Sequence, residues 1–96
     1  MGVMDMANRL LADELCKYLL ELAARLERHG EAAAAKRVIH VSGFSSGSTS
    51  ELYGEARMVL PEILRGSGYI LLDSEREHLR TIVAGIEAEF QRIGGA

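Results

Sequence analysis

The chain has 96 residues and a mass of 10.5 kDa, which is one domain of small size and too short for a two-domain enzyme, a TIM barrel or a doubly wound nucleotide-binding fold. Hydrophobic residues make up 48% and charged residues 26%, a globular composition rather than a disordered one. With 11 basic against 14 acidic residues the net charge is −3, which disfavours nucleic acid as a partner because such affinity comes largely from neutralising phosphates.

Nine of the 11 basic residues are arginine, a usage that fits a GC-rich, bacterial coding sequence as well as it fits bidentate ion pairing. The single cysteine, Cys16, excludes an intrachain disulfide and fits a reducing compartment. Met1 to Asn8 lack the basic start and apolar run of a signal peptide, and no stretch of about 18 apolar residues is present. The expectation is a cytoplasmic protein with no membrane span. The five aromatic residues include no Trp, so the core is expected to be aliphatic and base-stacking platforms are not expected.

In chain order, the first expected helix runs from about Met4 to Arg28. Leu11, Leu15, Leu19, Leu22 and Leu26 fall within about 80° of one another on a helical wheel, the apolar stripe of an amphipathic helix. Asp13, Lys17, Ala24 and Arg28 occupy the opposite face. Asp13–Lys17 and Glu21–Arg25 stand at ion-pairing distance along it, as does Arg9–Asp13. Leu10 and Leu20 fall off the stripe on the polar side, which marks them as a candidate dimer or partner surface. Gly30 is expected to end the helix, with Arg28 and His29 in the last turn where cations suit the dipole.

The alanine run Ala32–Ala35 favours a second helix to about Val41 over a strand at Val38–Val41. The Gly43–Ser50 segment is rich in Gly and Ser and cannot be helix along its whole length; Gly43–Gly47 within it is expected to be solvent-exposed and mobile. The segment ends in a capping box formed by Ser48 and Glu51. The third helix carries Leu52, Ala56, Val59, Leu60, Ile63 and Leu64. Pro61 sits inside it, and a kink or break is expected there before a stop at Gly66–Gly68. Within it Gly54 is expected to permit close helix packing. A second capping box, Ser74 with Glu77, opens the last helix, about Glu75 to Ile93. That helix has the cleanest stripe of all, in Leu79, Ile82, Val83, Ile86, Phe90 and Ile93, of which Ile82, Val83 and Ile86 are expected to be buried.

Several motifs bear on chemistry. Gly43–Gly47 matches the G-x-S-x-G elbow of serine hydrolases, but that elbow needs a strand-to-helix turn in a sheet, so a flexible loop is the better reading. Anion binding by the same loop is opposed by Glu51 and Glu55 and by the absence of a P-loop lysine. Asp73–Ser74 resembles the carrier serine of acyl carrier proteins only superficially. Glu75 stands where an apolar residue belongs, and the serine opens the last helix rather than an earlier one. His29, His40 and His78 lie in separate segments with no local pair, so no metal or other cofactor is expected. Nothing in the sequence supplies Cys16 with a catalytic base. Glu75, Glu77, Glu87 and Glu89 read as a solvated helix face. Met1, Met4 and Met6 read as a frayed terminus.

These observations lead to an all-α fold, a compact four-helix domain over residues 1–96. It comprises an N-terminal helical hairpin plus two helices, the third broken or kinked near Pro61. The expected function is non-enzymatic: an adaptor, inhibitor, immunity or chaperone-like role through protein–protein interaction, with a homodimer expected. The alternative is a nucleic-acid-binding regulator using Arg25, Arg28, Lys36 and Arg37. An enzyme using the Gly43–Ser50 loop ranks behind both.

Overall fold

A computed structural model describes residues 10–93. Four helices follow in order: α1 (Ala12–Arg28), α2 (Ala32–Ser42), α3 (Thr49–Ser67) and α4 (Asp73–Arg92), with 3₁₀ turns at Gly43–Ser46 and Gly68–Ile70 and no strand among the described residues. The fold is all-α and four-helical. Cross-links fix the arrangement: Arg25 of α1 reaches Glu75 of α4, Arg37 of α2 reaches Glu62 of α3, and Arg57 of α3 reaches Glu87 of α4. With the α1–α2 hairpin these pairings make every neighbour antiparallel, an up-down-up-down bundle.

The leucine stripe of α1 is buried as expected at Leu15, Leu19, Leu22 and Leu26, all fully. Leu11 is not part of it. The helix starts one residue later, leaving Leu11 exposed as its N-cap, where its backbone N–H donates to Glu14 Oε1 at 3.2 Å. Residues 4–9 of the expected helix, Arg9 among them, lie outside the described residues, as do Met1, Met4 and Met6.

The turn at Gly30 is a complete Schellman motif. The Glu31 N–H bonds the Leu26 carbonyl at 2.9 Å and the Gly30 N–H bonds the Glu27 carbonyl at 3.1 Å, with Gly30 at φ +82°. That left-handed conformation is why glycine stands there. Glu31 then ties the turn to the far end of α3: its carboxylate accepts from Ser67 Oγ at 2.9 Å and from the Tyr69 hydroxyl at 2.8 Å.

Three expectations need correction. First, of the kink or break expected at Pro61 the break is absent: α3 is one helix from Thr49 to Ser67. Proline in a helix costs about 3 kcal/mol. Leu60 and Ile63 flank it on the buried stripe, and each gains about 1.5–3 kcal/mol from burial, enough together to hold the helix through it. Second, α4 is not capped by Ser74. Its N-cap is Leu72, whose N–H donates to Glu75 Oε1 at 3.0 Å, and Ser74 is exposed in the first turn. Arg76, in the first turn of α4, ties this start to the turn before it. Its guanidinium donates to the carbonyls of Gly68 and Leu71 and to Asp73, at 3.1, 2.9 and 2.9 Å. Third, Gly43–Ser46 is a 3₁₀ turn that continues α2 directly. Phe44 is half-buried against the core, its ring edge-on to His40 at 5.5 Å between centroids. Gly43, Ser45, Ser46 and Gly47 are exposed, as expected.

The capping box of Ser48 and Glu51 is present, with Ser48 Oγ accepting the Glu51 N–H at 3.2 Å and Glu51 accepting the Ser48 N–H at 3.4 Å. On α4, Ile82 and Ile86 are buried and Val83 is half-buried. A Cβ at Gly54 would lie 3.3 Å from Cε1 of Phe90, so this glycine does admit a close approach of α4.

Candidate interaction surface

The seams between the helices differ in how they close. Arg25–Glu75 (3.0 Å) bridges α1 to α4, Arg37–Glu62 bridges α2 to α3, and Arg57–Glu87 (2.6 Å) bridges α3 to α4. The Arg57 guanidinium also stacks over the Phe90 ring at 4.7 Å. Hydrogen bonding to these arginines holds the carboxyls of Glu62 and Glu87 below the usual range. Among the described residues no ion pair crosses the α1–α2 seam. This is the most closely packed helix pair in the molecule, with Ala23 and Ala35 buried.

Leu20 and Ile39 border this seam on its outer side. On α1, Arg25 is turned about 80° from Leu15 toward α4, and Leu20 about 140° the other way, toward α2. On α2, Arg37 is turned about 100° from Val38 toward α3, and Ile39 about 100° the other way, toward α1. Leu20 stands about 12 Å back from Arg28, and Ile39 about 10.5 Å on from Ala32, so the two are at nearly the same height in the hairpin. Leu20 is 55% exposed and Ile39 48%. Between and around them stand the half-buried Cys16 and the exposed Ala24, Ala32 and Gly43.

Leu20 is therefore where the sequence placed it, on an outer face. Leu10 is not on that face. It precedes α1, and its carbonyl accepts the Tyr53 hydroxyl at 2.6 Å. Its side chain is half-buried against α4, 3.4 Å from where a Cβ on Gly85 would lie. Sequence reasoning missed Ile39. Its offset of about 100° from the Ala35–Val38 stripe was the available signal.

The other candidates are dispersed. Arg25 and Arg37 are turned to opposite sides of the hairpin by their partners on α4 and α3, so Arg25, Arg28, Lys36 and Arg37 do not form one basic face. Arg25 takes Glu75 rather than Glu21. The four glutamates are no uniform solvated face either: Glu75 and Glu87 bridge helices, and Glu89 is only 6% exposed, paired with Arg92 at 2.7 Å. Ser45 sits exposed on a turn between two helices, without the sheet the hydrolase elbow requires. His29, His40 and His78 are exposed on separate segments, and no group of three potential metal ligands converges among the described residues.

Among the described residues one buried side-chain polar group has no partner, the hydroxyl of Tyr18. Its ring meets His78 of α4 edge-on at 5.0 Å, and burial pushes its pKa up to about 12, with Arg25 pulling the other way and Glu75 and Glu21 adding to the rise. No described helix is long and apolar enough to cross a membrane. Compared with family models, with curated proteins and with solved structures, the chain finds no match.

Proposed function

We propose that the chain is a non-enzymatic helical interaction protein that works as a homodimer, with the outer α1–α2 face as its contact surface. One observation carries this reading: the seam that lacks an ion pair is bordered by two exposed branched aliphatic side chains, Leu20 and Ile39, at the same height. Two exposed aliphatic side chains grouped on one face favour burial against a second helical surface. A domain of this size has a limited core, and association supplements it. The free Cys16 suits the reducing cytoplasm.

Sedimentation equilibrium at tens of micromolar tests the reading. The parent chain is expected at twice its monomer mass. Leu20→Asp is expected to halve that mass and leave helix content unchanged, because Leu20 lies outside the core. A parent chain that sediments as a monomer overturns the reading.

A further inference from the structure

The bundle consists of two hairpins, and the two edges along which they meet are held unequally. Along the α2–α3 edge they are pinned at three heights. At the top, the Glu31 carboxylate accepts from Ser67 Oγ at 2.9 Å and from the Tyr69 hydroxyl at 2.8 Å. At mid-height Arg37 pairs with Glu62. At the bottom the chain itself joins the two helices through the turn at Gly43–Ser46. The α1–α4 edge has no connecting loop, and of the four seams it brings the helix backbones together least. Among the described residues a single ion pair crosses it, Arg25–Glu75 at 3.0 Å.

The rest of that edge is filled by side chains. Tyr18 and Leu22 are turned about 60° and 20° from Leu15 toward α4. Ile82 is turned about 60° from Leu79 toward α1, on the side of Glu75 and His78. The Tyr18 ring meets His78 edge-on at 5.0 Å, and its buried hydroxyl has no partner. The closed seam therefore carries the desolvation cost of that hydroxyl, and an open one does not. At the lower end the Leu10 carbonyl accepts the Tyr53 hydroxyl at 2.6 Å, a bond that separation of the hairpins would break.

We propose that the fold contains a built-in opening: the α1–α2 and α3–α4 hairpins swing apart at the α1–α4 seam, hinged on the α2–α3 edge, with Arg25–Glu75 as the clasp. Each hairpin stays folded during the motion. The first keeps its Gly30 turn and the buried Ala23 and Ala35, and the second keeps Arg57 on Glu87 and Phe90. Opening uncovers the apolar stripes of α1 and α4, Leu22 and Ile82 among them, and returns the Tyr18 hydroxyl to water. Such motions use the least stable contacts of a structure and pivot on the better-held ones. The seam lies on a different face from Leu20 and Ile39, so the opening does not depend on whether two copies associate.

Native-state thiol labelling tests the opening. In a Cys16→Ser background, Ile82→Cys and Leu22→Cys place a thiol on either side of the seam. Val41→Cys places one at the hinge, about 60° from Val38 toward α3. All three positions are buried. Labelling rates are measured against urea beside the urea unfolding of the same variant, which accounts separately for any loss of global stability. The seam thiols are expected to label at least about tenfold faster than global unfolding allows, with a shallow urea dependence, because opening exposes only part of the core. The hinge thiol is expected to label only as fast as global unfolding allows. Arg25→Gln is expected to speed the seam thiols by about two- to fivefold without this effect at the hinge. High salt is expected to act in the same direction.

Seam thiols whose labelling tracks global unfolding overturn the proposal, and either one suffices should the other variant fail to fold. A hinge thiol that labels as fast as the seam thiols also overturns it, because the opening is then not confined to α1–α4. Arg25→Gln that leaves the seam thiols unchanged overturns the clasp.

Discussion

The α1–α2 seam and the α3–α4 seam join helices of similar kind by opposite means. The first is closed by small buried residues, Ala23 and Ala35, and by a tight turn at Gly30. The second is closed by a surface cluster in which Arg57 binds Glu87 and covers Phe90, with Gly54 making room for the ring. The difference follows from the connections. A Schellman turn leaves the hairpin little freedom to slide, so its register needs no further specification. The α3–α4 link is longer, and α1 and α4 are joined by no loop at all. There, exposed ion pairs select the register, although such pairs add little to stability. The consequence is a molecule with polar borders at three seams and an apolar one at the fourth.

The largest test lies beneath both seams. Ile86 of α4 and Leu19 of α1 are both buried in one core cluster. Ile86→Ala and Leu19→Ala are each expected to cost about 2–5 kcal/mol in urea unfolding. A large loss from Leu19→Ala with none from Ile86→Ala means that α4 does not share the core with the hairpin, and the comparison of seams fails.

The next test separates the seams. Ala35→Leu inserts bulk at a fully buried position of α2 and is expected to cost about 1–3 kcal/mol through overpacking. The same enlargement at Ala88, which is exposed on α4, is expected to have almost no effect as Ala88→Leu. Equal effects at the two sites mean that the hairpin has slack and that its register is not set by close packing.

Much of this organisation was legible in the sequence, and what was missed has a common cause. Periodicity identified Leu15, Leu19, Leu22 and Leu26, and later Ile82 and Ile86, because burial on one helix face is a local pattern. The Gly30 turn and the Ser48–Glu51 box were legible for the same reason. The partner of Arg25 was not, because Glu75 is brought near only by the fold. The start of α4 was misread because two boxes overlap, Leu72 with Glu75 and Ser74 with Glu77. Arg76, reaching back to Gly68 and Leu71, selects the first. Pro61 was weighed on local cost alone, without the burial of Leu60 and Ile63. The candidate surface was half legible: Leu20 stood out because it left its stripe, whereas Ile39 was masked by the β-branched run around it.

Tyr18 probes the α1–α4 seam from inside. Its hydroxyl is buried without a hydrogen-bond partner, so Tyr18→Phe removes a desolvation cost and is expected to stabilise the chain by up to about 1 kcal/mol. The pH response has a definite sign. The folded-state value of about 12 lies above the unfolded value near 10, so the neutral phenol favours the folded state. That contribution is complete below pH about 10 and is lost as pH rises toward 12. Alkaline unfolding of the parent is expected to begin at lower pH than that of Tyr18→Phe. Coincident alkaline limbs would mean that the hydroxyl reaches water, and that this seam is open rather than closed by the Tyr18–His78 contact.

The smallest expected effect belongs to the ion pairs. Glu87 accepts from Arg57 at 2.6 Å and from Gln91 at 3.0 Å, and both bonds hold its carboxyl below the usual range. A depressed folded-state value means that the carboxylate supports the folded state above the unfolded value near 4.3, and that this support is lost as pH falls through the folded value. Glu87→Gln removes that titration. The variant is expected to unfold close to the parent at neutral pH and high salt, where screening already weakens the exposed pair. At low salt it should be slightly less stable at neutral pH, and the gap should close as acid protonates Glu87 in the parent. Because the residue selects register more than it strengthens packing, its clearest signature is structural. The near-ultraviolet signal of Tyr53 and Phe90 beside this seam should broaden in Glu87→Gln without loss of helix. A variant whose pH and salt profiles both superimpose on those of the parent would show that Gly54 and Phe90 alone set the register, and that the polar border of this seam is incidental to it.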